Sequence, residues 1–254
     1  GYCIMLPIFK SHYSIGKSIL TLKHPDSTID GASDSIFKIL QGASLNKLIL
    51  VEDSPTGFLQ ARKISFELDI DLIFGLRINV RSFESDEDKE SQHKVIIFAK
   101  NDSGSKLLNK IYSKVFCELK GVADYKTLKE FWNEDHLMLA VPFYDSFLYF
   151  NSFYFANCVP DFSFCKPKFF IENNNLPTDL ILSKLVRKYC KDNSFEYNLS
   201  KSIYYNKKSD LEAFQTYKCI CNRNFGRKKS LSNPGFDGLG SREFCFESYL
   251  EHNK

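Results

Sequence analysis

The segment KLILVEDSPTGFLQARKI, residues 47–64, places one carboxylate, Asp53, where a strand-like apolar run gives way to a turn and then a helix. Catalytic groups of α/β proteins gather at the carboxyl ends of strands, so Asp53 is the first candidate for acid–base or metal chemistry. A carboxylate alone does neither. A hydrolytic metal centre needs several converging N and O ligands, and general acid–base work needs a second proton carrier. The five histidines, His12, His24, His93, His136 and His252, are scattered, and no two fall on one helix face or strand. A site rebuilt near Asp53 and His12 is conceivable, but isolated surface or core histidines are the simpler reading.

The eight cysteines, Cys3, Cys117, Cys158, Cys165, Cys190, Cys219, Cys221 and Cys245, contain no CxxC pair and no Cys/His cluster at zinc spacing. Cys219 and Cys221 stand two apart on a predicted helix, where side chains diverge, and cannot form one chelate. With no signal peptide and no apolar run of membrane-spanning length, reduced thiols and a cytoplasmic location are expected, without membrane association. The chain of 254 residues has 34 basic and 31 acidic side chains, a net charge of +3 that is too balanced to argue for nucleic-acid binding in bulk. Any basic surface must be local. The run NRNFGRKKS, residues 222–230, supplies one candidate: Arg223, Arg227, Lys228 and Lys229 could contact nucleic-acid phosphates, although a solvated linker is the better reading of so short a run. Among 24 Phe, many fall in VPFYDSFLYFNSFYFANCVPDFSF, residues 141–164. Core packing is the default there, and exposed aromatics would mark an interface.

These residues must be positioned by strand-sized apolar runs at 2–9, 48–51, 71–80, 93–99, 137–141, 168–172 and 199–205. Helical periodicity lies between most of them, clearest at Leu108, Ile111, Tyr112 and Val115 and again at Leu182, Leu185, Val186 and Tyr189. Asn101-Asp102-Ser103 and Pro177-Thr178-Asp179 are fitting helix starts. Strands alternating with helices predict parallel βα units, and seven of them suggest a barrel. The charged stretch 82–92 is expected to be a solvated, mobile loop between two strands, and the Gly/Asn/Ser-rich stretch 222–241 an extended connector.

Three stretches together resemble the polymerase and histidinol phosphatase (PHP) domain at the N-terminus of bacterial DNA polymerase III alpha subunits. They are LILVEDSPTGFLQARKISFELDIDLIFGLRINV (48–80), VIIFAKNDSGSKLLNKIYS (95–113) and SDLEAFQTYKCI (209–220). FKSHYSIGKSIL (9–20) is similar to the family's opening, and FCFESYLE (244–251) to its exit segment, so the likeness spans nearly the whole chain. Its most specific part is the run in which Ala99, Lys100, Asn101 and Gly104 keep the family's spacing.

The resemblance implies a single distorted (β/α)7 TIM-like barrel over residues 1–221, with 222–254 as a connector and exit segment toward a polymerase core. Active members resemble trinuclear metallophosphoesterases. At the positions matching their ligands this chain has Leu6, Ile8 and Lys10 in the first motif, Asp53 and Ser54 in the second, Arg77 and Lys94 in the middle, and Ser202 and Tyr204 in the last. Only Asp53 retains a ligand type. Lys10 and Arg77 would repel a cation cluster, so no metal, no cofactor and no catalytic residue is expected. Asp53 would instead pair with Lys10 or Arg77, or cap the following helix.

The implied role is structural: a non-catalytic domain of a DNA-directed DNA polymerase acting in replication, of bacterial or phage origin (in the latter case in the host cytoplasm). Its partners would be the rest of the polymerase and a proofreading exonuclease subunit, with DNA reached through the parent enzyme. The alternatives are an independent metal-dependent phosphoesterase with a rebuilt site and a stand-alone interaction module.

Overall fold

A computed structural model describes residues 4–31, 34–82, 91–223 and 240–254. Eight strands form one sheet: β1 (Leu6–Phe9), β2 (Lys47–Glu52), β3 (Asp71–Arg81), β4 (His93–Ala99), β5 (Val122–Asp124), β6 (Leu137–Val141), β7 (Lys168–Ile171) and β8 (Glu196–Ile203). Their order is β2-β1-β8-β7-β6-β4-β3-β5, and a further β2–β3 pairing closes seven of them into a barrel, with β5 attached to β3 outside the ring. The fold is therefore α/β with a closed seven-stranded barrel. All seven strands of the ring coincide with the apolar runs in the sequence. The short β5, VAD, carries no comparable signal.

One expectation is corrected. The strands are not uniformly parallel: β4 runs antiparallel to both β3 and β6, whereas β1–β2, β1–β8, β6–β7 and β7–β8 are parallel. A parallel connection needs a crossover of a dozen or more residues, usually helical, and the charged stretch after β3 has no helical period, so β4 returns beside β3. Residues 83–90 of that stretch lie outside the described residues, as does 224–239 of the expected connector.

The helices are α1 (Ile36–Gly42), α2 (Phe58–Glu67), α3 (Asp102–Cys117), α4 (Tyr125–Phe131), α5 (Phe147–Phe153), α6 (Asp179–Asn193), α7 (Leu211–Arg223) and α8 (Phe246–His252). No helix among the described residues is long and apolar enough to cross a membrane. The chain divides into two compact units. The first holds Gly1–Ile73, Asn173–Asp179 and Ser200–Lys254. Its core includes Phe9, Leu40, Leu50, Tyr205 and Phe214, with the Phe246 ring of α8 tilted against Phe9 at 5.9 Å. The described end of the chain, from Gly240, belongs to this unit. It is tied there by a bridge between Tyr205 and Cys245 and by the Tyr204 amide donating to the Phe244 carbonyl at 3.0 Å.

The second unit holds Phe74–Glu172 and Leu180–Leu199. Its core gathers Val141, Phe143, Phe147, Phe169, Leu182 and Val186, so most of the aromatic stretch 141–164 is spent on packing. The Asn101 carboxamide oxygen caps α3 by accepting from the Gly104 amide at 2.9 Å, as the sequence predicts. In the first unit, Asp179 turns back instead, its carboxylate accepting from the amides of Asn174 (2.8 Å) and Leu176 (3.1 Å).

Candidate functional site at the ends of β1 and β2

β1 ends at Phe9 and β2 at Glu52, and the two are parallel with Ile8 opposite Ile49 and Phe9 opposite Leu50. The residues just past these ends, Lys10 and Asp53, therefore emerge side by side. The Lys10 ammonium donates to Asp53 Oδ1 at 2.9 Å, with the lysine side chain 5% and the aspartate 37% exposed. Of the two roles considered for Asp53, the ion pair is the one realised. The cap of the following turn comes from Ser54, whose hydroxyl accepts from the Thr56 amide, and α2 itself starts at Gly57 without a side-chain cap. The Asp53 amide donates to Ser14 Oγ at 2.9 Å, which holds the aspartate's backbone against the loop after β1.

Glu52, one residue earlier, is fully buried. Its Oε1 accepts from the Ser11 amide at 2.5 Å and its Oε2 from the Ser11 hydroxyl at 2.9 Å. Burial pushes the Glu52 carboxyl up to about 7, against the opposing pull of the Lys10 charge and the two Ser11 hydrogen bonds. Sequence reasoning fixed on Asp53 passed over this residue. Glu52 directly continues the apolar run Leu48–Val51, but a carboxylate at that position reads as solvent-facing until its partners are known.

The other positions singled out in the sequence are placed as follows. Leu6 and Ile8 share one face of β1, and Ile8 lies opposite Ser202 of β8. Tyr204 lies between Phe214 and Phe244, at 6.0 and 5.6 Å, and its carbonyl accepts from Ser18 Oγ. His12 is held by the Leu20 carbonyl, 3.2 Å from Nδ1, and packs on Tyr13.

In the second unit, Arg77 donates to Asp145 Oδ2 at 2.9 Å and to the Tyr144 carbonyl at 3.3 Å. The Lys94 amide donates to the Asp145 carbonyl at 2.8 Å. His93 is also fully buried, with Nε2 at 2.6 Å from the Tyr125 hydroxyl and Nδ1 at 2.8 Å from the Ser91 carbonyl. Burial pushes its imidazole down to about 4.

Among the described residues no group of three or more His, Cys, Asp or Glu side chains is arranged to hold a metal ion. Lys10 places its ammonium on Asp53, and Leu6 and Ile8 offer no donor atom to a cation. Arg223 closes α7, whereas Arg227, Lys228 and Lys229 lie outside the described residues. Cys117 is exposed, and Cys158, Cys165, Cys190 and Cys245 are buried as free thiols, burial pushing Cys165 up to about 12.

A second ionic group in the first unit was not foreseen. Lys201, 1% exposed, donates to the Asn173 carbonyl at 3.3 Å and lies 3.8 Å from Glu243, which also faces Lys208 at 3.5 Å. Burial alone would raise the Glu243 carboxyl, but the Ser248 hydroxyl and the two lysines outweigh it and hold the group below its usual value. This cluster fastens the segment before α8 to the end of β8.

No family model matches the sequence, and no curated protein matches it.

Proposed function

We propose that this chain is a PHP-type barrel acting as a non-catalytic structural and interaction domain of the alpha subunit of a family-C replicative DNA polymerase. The carrying observation is the Lys10–Asp53 ion pair at 2.9 Å. Both positions align with metal-ligand motifs of the PHP family, and here a lysine ammonium sits on the aspartate in place of a divalent cation. An ion pair of this kind joins two strand ends with no metal and no hydrolytic water. Seven ring strands at the apolar runs of this sequence support the assignment to a (β/α)7-type barrel. The partners proposed are the remainder of the polymerase and a proofreading exonuclease subunit, in the cytoplasm of a bacterium or of a phage-infected host.

The test is elemental analysis of the purified chain by plasma mass spectrometry after dialysis against a weak chelator. Manganese, iron and zinc are expected well below one per chain. Two or three metals per chain would overturn the reading in favour of a phosphoesterase. That enzyme should then hydrolyse a chromogenic phosphodiester in a metal-dependent manner that Asp53→Ala abolishes.

A further inference from the structure

α6 turns Leu182, Val186 and Cys190 into the core of the second unit and leaves its opposite face to solvent. That face is basic. Lys184, Arg187, Lys188 and Lys191 follow one another at helical spacing and are all exposed. After its first residue α6 has a single acidic side chain, Asp192, and that one is paired with Lys188 at 2.6 Å. Among the described residues no carboxylate pairs with Lys184, Arg187 or Lys191.

The middle cation is already oriented. Arg187 Nη1 donates to the Tyr197 hydroxyl at 2.7 Å, and its guanidinium lies 4.9 Å from the centre of the Tyr197 ring. Little rotamer freedom remains for Arg187 to lose when an anion arrives, and its other guanidinium nitrogens can still donate. The spacing also fits a repeating anion. At about 1.5 Å of rise per residue the stripe from Lys184 to Lys191 is about 10 Å long, and one strand of a duplex advances about 3.4 Å per phosphate, so the stripe spans about three. α3 carries Lys106, Lys110 and Lys114 in a similar row, but there Glu118, Glu130 and Asp124 act on Lys114 and dilute the field.

Charge complementarity selects the occupant. A row of lysines with no apolar side chain among them is the opposite of a protein-interface core, which is depleted in lysine. A membrane-bound helix lays its apolar face into the lipid, whereas that face of α6 is buried in the core and only Leu180 and Ile181 are exposed at its start. Single strands are held by stacking their bases on open aromatic rings, and the Tyr197 ring is already covered on one side by Arg187. We propose that the exposed face of α6 binds the phosphate backbone of double-stranded nucleic acid without regard to sequence. The inference rests on the charge of α6 and is independent of the family assignment.

Fluorescence anisotropy of a labelled DNA duplex of arbitrary sequence, about 20 base pairs long, tests it on the intact chain at about 50 mM salt. Binding is expected, with the logarithm of the association constant falling against the logarithm of salt at a slope of about −3, as for three phosphates neutralised. Lys184→Gln combined with Lys191→Gln should weaken binding at least about tenfold and flatten the slope by about 2. Glutamine has nearly the helix propensity of lysine, so the melting temperature of this variant should match that of the wild type. Lys106→Gln combined with Lys110→Gln removes the same charge from α3 and should leave the affinity within about twofold. A chain that does not bind the duplex overturns the proposal, as does an α6 variant that binds as tightly as the wild type or an equal loss from the α3 substitutions. A preference for the single strand over the duplex overturns it too.

Discussion

Glu52→Gln is expected to stabilise the chain by about 3 kcal/mol at pH 8 and to change it little at pH 4. The carboxyl has its folded-state value raised to about 7 from an ordinary 4.5, so the folded state binds more protons than the unfolded one between those limits. Stability contributed by Glu52 therefore falls as pH rises through the window. Below it both states carry a neutral carboxyl, and above it the folded state keeps a desolvated charge. Glutamine preserves the geometry: its oxygen accepts from the Ser11 amide and its amide group donates to the Ser11 hydroxyl, which now acts as acceptor. Urea unfolding of both chains at the two pH values measures the difference. A variant no more stable than wild type at pH 8 would mean that the carboxylate is favourably ionised in place, bound to Lys10 more tightly than burial penalises it.

His93 works in the opposite sense. Its folded value lies near 4 against 6.5 for the free ring, so it contributes stability that is fully present above 6.5 and lost as pH falls toward 4. Over about pH 4.5–6.5 the two slopes oppose each other, and the wild-type profile should look flat there although both groups titrate. Removing the Glu52 carboxyl unmasks the histidine. The Glu52→Gln chain should gain stability steadily from pH 4 to 6.5, and a flat profile in that variant would remove the buried neutral imidazole as its cause.

The most buried strands of the ring were legible because they read as unbroken apolar runs, such as Leu48–Val51 or Val95–Phe98, whereas β3 and β8 are interrupted by polar residues such as Arg77 and Lys201. The direction of β4 was not, because apolar content carries no polarity and only the absence of a helical period after Arg81 hinted at an antiparallel return. At the candidate site the pairing of Asp53 with Lys10 was one of two expected partners for the aspartate, and it follows from β1 and β2 lying parallel with both residues just past their ends. Glu52 and Lys201 could not be placed the same way. A charged residue within a strand reads as a solvent-facing position until the neighbours that satisfy it are known, and for these two the neighbours are Ser11 and Glu243, 41 and 42 residues away in sequence, the second separation being 243 − 201.

Gly104→Ala is expected to destabilise the chain by at least about 2–3 kcal/mol, although alanine is the better helix former by about 1 kcal/mol. The bonds made by Lys100 and Asn101 explain why. The Lys100 amide donates to the His136 carbonyl at 2.8 Å, the Lys100 ammonium to the Glu134 carbonyl at 2.5 Å and Asn101 Nδ2 to the Asp135 carbonyl at 3.1 Å. These bonds draw the first turn of α3 onto the turn before β6 until a Cβ on residue 104 would stand 2.2 Å from the His136 carbonyl oxygen. That obstacle is backbone, so no rotamer change relieves it, and either the turn or the helix start must move. Gly42, in the last turn of α1, is the matched control, with nothing within 4 Å of its added Cβ. Gly42→Ala should be neutral or stabilising by about 0.5–1 kcal/mol. Denaturant midpoints moving in opposite directions for the two variants would place the glycine requirement in the α3 contact. A stable Gly104→Ala chain would show that this contact yields and that the Asn101 cap alone sets the start of α3.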